Sequence, residues 1–216
     1  MRALSRKTPL TRARASQVVG LGSINATGLY APSEHKKVVV SHVRALRERL
    51  PGLAGARIVF VPESNGGGFA SQDYALALIE EQVPHVYLMD EDAKHVGLRT
   101  DNASKKRMTI LLSNALRAHA LKFHPLLVTT GDAMSRDSMV TAFIDQCASF
   151  KRKLKMKKTQ GEDDGVRQYT EIFSGKFGGR KDDFVMGGMI NLMGRSIYMT
   201  KFEETYRNKR PLWEAT

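Results

Sequence analysis

The sequence predicts an α/β protein in which strands and helices alternate around a mainly parallel core sheet. Short runs rich in apolar and β-branched residues are each followed by a longer segment whose apolar residues recur every three or four positions. The chain of 216 residues is also long enough for one domain with its own hydrophobic core.

Five elements are expected in the first part of the chain, beginning with a strand in the apolar, glycine-punctuated run VVGLGSIN at 18–25. Residues 34–50 carry apolar residues four, three and four positions apart and end at a proline, which predicts a helix. RIVFV at 57–61 predicts a buried strand that ends at a proline, because proline cannot donate a ladder hydrogen bond. Residues 70–82 are expected to be helical, and HVYLM at 85–89 to form another strand.

Three helices and one strand are expected in the second part. Asp101 and Asn102 open a segment predicted to be helical to about residue 120, because both residue types are favourable N-caps. Apolar residues on one face predict a helix over 135–152, and YTEIF at 169–173 predicts a last strand. The last helix is expected over 183–199, where methionines and isoleucines recur in helical register.

The chain carries a large excess of positive charge, with 34 Lys and Arg against 22 Asp and Glu and a formal net charge of +12. Such an excess favours a polyanionic partner, above all nucleic acid, over a merely soluble basic surface. The charge is concentrated in three places: residues 1–17, expected to form a flexible basic arm, KRKLKMKK at 151–158, and the run at 105–107.

Several classes of protein are excluded by what the sequence lacks. No run of roughly 18 apolar residues predicts a membrane span, and the N-terminal residues lack the apolar segment of a secretory signal. The single cysteine, Cys147, excludes a disulfide framework, fits a reducing compartment, and is expected in the core rather than as a nucleophile. No phosphate-binding glycine motif and no histidine pair with zinc-hydrolase spacing is present.

Candidate catalytic acids lie where the predicted elements end. Glu63 follows the strand at 57–61, at the edge of the sheet where α/β folds bind ligands. Asp182 and Asp183 follow a glycine-rich loop and begin the last helix. Together these carboxylates could hold hard cations that clamp the attacking and leaving oxygens of a phosphodiester. The simpler alternatives are a solvated turn residue for Glu63 and a helix cap for the aspartates.

Three segments of the sequence carry a family resemblance when they are taken together. They are FVPESNGGGFASQDYALALI, in which Glu63 follows a predicted strand, GLRTDNASKKRMTILLSNAL, and TEIFSGKFGGRKDDFVMGGMINLM, which contains a strand, Ser-Gly-Lys, a basic loop and Asp-Asp. In that order they resemble the segment in which a strand delivers a glutamate, the helix that follows, and the closing motif of the nuclease domain of herpesvirus-type DNA-packaging terminase large subunits. The resemblance extends from residue 18 to about residue 200 and implies a ribonuclease H-like mixed sheet flanked by helices, as in tailed-phage terminases.

The resemblance implies a metal-dependent endonuclease that cuts concatemeric double-stranded DNA while viral genomes are packaged into capsids. Glu63, Asp182 and Asp183 would be its catalytic residues and its ligands for two Mg²⁺ or Mn²⁺ ions. The residues expected to bind DNA are Lys105, Lys106, Lys151, Arg152, Lys153, Lys176, Arg180 and Lys181. Expected partners are double-stranded DNA, the ATPase part of the terminase, a small terminase subunit and the capsid portal. The expected location is the host nucleus for a herpesvirus-like protein, or the host cytoplasm for a phage-like one.

The sequence departs from this family at the first catalytic position. The family carries an aspartate on an opening strand, upstream of a segment resembling residues 18–25, whereas the first aspartate here is Asp73. We therefore expect residues 18–216 to form a terminase nuclease-like domain that is incomplete at its N-terminus. Two alternatives remain: a non-catalytic DNA-binding or assembly module of the packaging motor, and another ribonuclease H-like nuclease such as a junction resolvase.

Overall fold

The computed structural model of the protein describes residues 16–23, 32–56, 58–65, 76–77, 79–80, 82, 85–87, 96–131, 135–156, 169–176 and 182–208. Within these ranges the chain is mixed α/β, as the sequence predicts. The strands are β1 (Ser16–Ser23), β2 (Ile58–Phe60), β3 (His85–Tyr87), β4 (Leu121–Gly131), β5 (Lys151–Met156) and β6 (Tyr169–Ser174). The helices are α1 (Pro32–Arg49), α2 (Asn102–Arg117), α3 (Arg136–Ser149) and α4 (Asp183–Asn208). None of the described helices is both long and apolar enough to cross a membrane.

The described strands form three pairs. β1 is parallel to β4, with a register shift between Val18 and Gly20, and β2 is parallel to β3. β5 and β6 form an antiparallel ribbon. Beyond the end of β2, an isolated parallel bridge joins Glu63 to Leu98. The expected parallel pairing is therefore present in two of the three pairs.

β2 lies between two apolar clusters, because its side chains alternate between its two faces. Ile58 and Phe60 pack against the cluster that includes Val40 of α1. Val59 and Val61 pack against the larger cluster, formed mainly by α2 and α4. The buried members of that cluster are Leu98, Met108, Leu112, Val185, Met186, Met189, Ile190 and Met193. The apolar register predicted for the last helix is therefore its buried face.

Several predicted boundaries differ from those in the structure. α2 ends at Arg117 rather than near residue 120, and His119 then adopts a positive φ of 50°. α4 continues beyond the predicted residue 199 to Asn208. Asp101 caps α2 as predicted, accepting a hydrogen bond of 2.8 Å from the backbone N–H of Ser104. Most of the predicted helix at 70–82 lies outside the described residues, as does the basic arm apart from its last two residues, which begin β1.

The prediction for 135–152 was wrong at its C-terminal end, and the strand β4 was missed. α3 ends at Ser149 because Phe150 turns into extended backbone, with φ −70° and ψ 117°. Lys151 and Arg152 therefore lie in β5, where pairing with β6 fixes the backbone, and not at a helix end. β4 escaped detection because a proline interrupts its sequence, LKFHPLLVTTG, and its partner β1 is distant along the chain.

Candidate active site

The backbone around Glu63 is held by a short stretch of parallel pairing beyond β2. The N–H of Leu98 donates to the Pro62 carbonyl at 2.9 Å, and the N–H of Ser64 donates to the Leu98 carbonyl at 3.0 Å. Gly97 makes this pairing possible, because it has a φ of +95° and a Cβ there would overlap the Pro62 carbonyl oxygen. Glu63 is thus positioned at the end of a strand by main-chain contacts.

The carboxylate of Glu63 is oriented by two polar side chains. Asn65 Nδ2 donates to Glu63 Oε1 at 3.1 Å, and the Thr100 hydroxyl donates to the same oxygen. Asn65 and Thr100 are themselves joined, since the N–H of Thr100 donates to Asn65 Oδ1 at 3.0 Å. Although Glu63 is exposed, this network distinguishes it from a turn residue that is only solvated.

Asp182 is an almost fully buried acid, with 3% of its surface exposed. Its Oδ2 accepts a hydrogen bond of 3.1 Å from the N–H of Gly175 and lies 3.5 Å from the Ser174 hydroxyl. Lys176 Nζ lies 3.6 Å from Oδ1. Gly175 is required for this close approach, because a Cβ there would lie 2.8 Å from that of Asp182. The strand β6 and the turn after it therefore hold the buried carboxylate.

The Asp182 side chain points away from the start of α4, whose exposed N–H groups are satisfied by another residue. Gln146 Oε1, on α3, accepts hydrogen bonds from the N–H groups of Phe184 at 2.8 Å and Val185 at 3.2 Å. The backbone carbonyl of Asp182 accepts the helical bond from Met186 at 2.9 Å. The simple interpretation of Asp182 as a side-chain cap therefore does not describe this helix.

The region around Glu63 and the region around Asp182 meet at one small cavity of about 260 Å³. Glu63, Asp182 and Asp183 all line it, together with Lys105 on α2 and Lys176 after β6. Its remaining lining comes from Ser174 and one face of α4. All three predicted acids and two of the predicted DNA-binding lysines thus share one cavity.

The other predicted DNA-binding residues lie elsewhere. Lys106 and Arg152 form ion pairs with Glu171, at 3.0 and 2.7 Å, and the Lys106 hydrogen bond together with the Arg152 charge lowers the pKa of Glu171. Lys151 and Lys153 are exposed on β5. Two further predicted residues, Arg180 and Lys181, lie outside the described residues.

The donor chemistry at the cavity suits a hard divalent cation, because all three acidic groups offer carboxylate oxygens. Among the described residues, however, no group of three acidic, histidine or cysteine side chains is close enough to hold an ion. A larger cavity of about 650 Å³ adjoins the site, between β1 and β2, and Asp183 lines both cavities.

Cysteine chemistry has no place at this site. Cys147 packs against the larger apolar cluster, as expected from the sequence, and burial raises the pKa of its thiol to about 11. A thiol with this pKa is protonated near neutral pH and is a poor nucleophile.

Sequence reasoning missed three residues that organise the site. Asn65 and Thr100 orient Glu63, and Gln146 caps the helix that carries the aspartates. The only sequence signal was the short polar stretch that follows Glu63, which contains Asn65. Gln146 resembles any polar residue on an amphipathic helix, and its contact becomes visible only when α3 packs beside α4.

No protein-family model and no curated protein matches this chain. Its function therefore has to be inferred from the site and from the motifs that surround it.

Proposed function

We propose that this chain is a metal-dependent endonuclease domain of ribonuclease H-like fold, of the kind that viral terminases use to cut concatemeric double-stranded DNA during packaging. The observation that supports this most directly is the convergence of Glu63, Asp182 and Asp183 on one cavity. The two halves of that cavity come from distant parts of the sequence. Carboxylates grouped beside lysines are the arrangement expected for hydrolysis of a phosphodiester.

The three acids are the proposed ligands for Mg²⁺ or Mn²⁺, although among the described residues they do not by themselves form a complete group of three metal ligands. A bound ion would activate water and neutralise charge on the phosphoryl oxygens. Asn65 and Thr100 keep the Glu63 carboxylate in one orientation, so little reorganisation is needed when a ligand arrives. Lys105 and Lys176 bring positive charge to the same cavity and would bind the DNA backbone. Lys176 is exposed, so its ammonium group can leave Asp182 and turn towards a phosphate.

A two-ion site needs ligands on both sides of the scissile phosphate. We place the additional acid, expected from the family resemblance on an opening strand, in the space between β1 and β2. The lining of this space includes residues of β1, Val59 of β2 and Val61, which follows that strand. Asp183 lines both this space and the acidic cavity, which is why we place the additional acid there.

The proposed partners follow from the same assignment. Double-stranded DNA would be the substrate, and the ATPase part of a terminase, a small terminase subunit and the capsid portal would be protein partners. The net charge of +12 favours the nucleic-acid part of this proposal. The host nucleus or cytoplasm would be the compartment, depending on the type of virus.

A second candidate function is a non-catalytic DNA-binding or assembly module of the packaging motor. It is favoured by the absence of a group of three possible metal ligands among the residues that the structure describes. Such a module would retain the basic surface but would not cut DNA.

A plasmid-nicking assay with Mg²⁺ or Mn²⁺ tests the proposal. The chain should nick supercoiled DNA, weakly if the additional acid is absent, and Glu63→Gln and Asp182→Asn should each abolish the activity. Asp145→Asn removes an exposed acid of α3 outside the cavity and is the matched control. DNA binding without nicking by the unaltered chain would favour the non-catalytic module. Nicking that persists in both acid variants would contradict the assigned site.

A further inference from the structure

The antiparallel ribbon of β5 and β6 has two chemically different faces. Its register places Lys151 opposite Ser174 and Met156 opposite Tyr169. Because side chains alternate along a strand, one face carries the three lysines of β5. This lysine face is defined by Lys151, Lys153 and Lys155.

The opposite face of the ribbon is turned towards α2, and its positively charged side chain, Arg152, is already ion-paired. Phe173 is buried there, and Glu171 forms its two ion pairs with Lys106 and Arg152. A polyanion that bound here would have to compete with Glu171 for both cations. This face is therefore poorly suited to bind a phosphate backbone.

The lysine face is exposed along its whole length, since every residue of β5 is exposed. At about 3.4 Å per residue, Lys151 and Lys155 stand roughly 14 Å apart, with Lys153 midway. Among the described residues, neither Lys151 nor Lys155 forms an ion pair with a carboxylate. The lysine face is therefore an exposed row of basic side chains, with its two end lysines available to a ligand.

This row leads directly to the candidate active site. Ser174 lies opposite Lys151, on the same face of the ribbon, and it also lines the cavity that contains the three acids. The next basic residue along the chain, Lys176, lines that cavity as well. Positive charge thus continues from the far end of the ribbon to the buried carboxylate of Asp182.

We propose that the lysine face binds the sugar–phosphate backbone of duplex DNA and guides it into the acidic cavity. Lysines that bind phosphates position a duplex without reading its sequence. Arg152 and Lys106 take no part in this binding. The inference rests on the proposed function for its nucleic-acid partner, but its test requires no cleavage.

The test is binding of a fluorescein-labelled duplex of roughly two helical turns, about 20 base pairs, in EDTA and over a salt series. The variant combines Lys151→Gln, Lys153→Gln and Lys155→Gln. Its matched control removes three exposed positive charges elsewhere, through Arg49→Gln, Arg117→Gln and Lys122→Gln. A second control removes the ion-paired set through Lys106→Gln, Arg152→Gln and Glu171→Gln.

The lysine-face variant should bind more weakly, and the slope of log K against log salt should fall by up to about 2.7, at roughly 0.9 for each phosphate that a lysine no longer neutralises. Both controls should keep a slope near that of the unaltered chain. An unchanged slope in the lysine-face variant would overturn the proposal, and so would an equal decrease in either control. If the unaltered chain does not nick plasmid, the nuclease proposal fails, but the DNA-binding test of the lysine face is independent of that outcome.

Discussion

Replacing the cap of α4 provides a sharp test of how the aspartates are positioned. Gln146→Met keeps the length of the side chain but removes the oxygen that accepts from Phe184 and Val185 at 2.8 and 3.2 Å. Each neutral hydrogen bond contributes about 1 kcal/mol net, so the variant should lose roughly 2 kcal/mol of unfolding free energy. For a chain of this size that corresponds to a fall in melting temperature of about 4–8 °C.

The measurement is thermal unfolding by circular dichroism, supported by a urea titration. Gln146→Glu is the control, because its carboxylate can still accept both bonds and interacts favourably with the helix N-terminus. It should recover most of the lost stability. The Gln146→Met protein should also nick DNA less efficiently, because Gln146 positions the start of the helix that carries Asp182 and Asp183. A Gln146→Met protein that melts at the same temperature as the unaltered chain would refute the capping role.

Three further predictions concern the metal, the packing of α4 and the response to acid. Mn²⁺ at about 100 times its dissociation constant should stabilise the fold by roughly 2.7 kcal/mol; a melting-temperature shift that survives in Glu63→Gln would place the ion elsewhere. Gly187→Ala, with no neighbouring atom within 4 Å, should stabilise α4 by up to about 1 kcal/mol. In Gly194→Ala the new Cβ would lie 2.7 Å from Val61 Cγ2, and this overlap should cost about 1–3 kcal/mol of unfolding free energy, against which the same gain in helix propensity is set. The urea midpoint should therefore rise in Gly187→Ala and fall in Gly194→Ala, and midpoints that move in the same direction would contradict this prediction. Burial lowers the pKa of His42, so the unfolded chain binds more protons than the folded chain, and the free energy of unfolding should fall as pH drops below about 6.5. In His42→Leu the urea midpoint should depend less on pH in this range. An equal pH dependence in both proteins would exclude His42 as the cause.

The sequence was sufficient to predict those parts of the fold that depend on local patterns. The apolar repeat of α4 and the N-cap at Asp101 each depend on residues close together in the chain, and both agree with the structure. The acids could be predicted as candidates for a related reason. Residues at the carboxyl end of a strand or the start of a helix lie at the edges of an α/β fold, where binding sites form.

The parts that could not be predicted depend on contacts between distant residues. β4 pairs with β1 across most of the first half of the chain, and β5 is a basic run that becomes a strand only beside β6. Thr100 hydrogen-bonds to Glu63, and Gln146 to the start of α4, through packing that no short window of sequence contains. Arg152 lies on the opposite face of the ribbon from the three lysines, and this too can be seen only from the register of β5 and β6.

Glu63 and Asp182, which both line the acidic cavity, are each held by a separate hydrogen-bond network. No hydrogen bond between described residues joins the Glu63 network to the Asp182 network. Conservative substitutions at one acid should therefore leave intact the hydrogen bonds that position the other. The double variant Glu63→Gln with Asp182→Asn should remain folded and, if the proposed function is correct, bind DNA without cutting it, which makes it a suitable form of the protein for trapping the proposed complex with intact DNA.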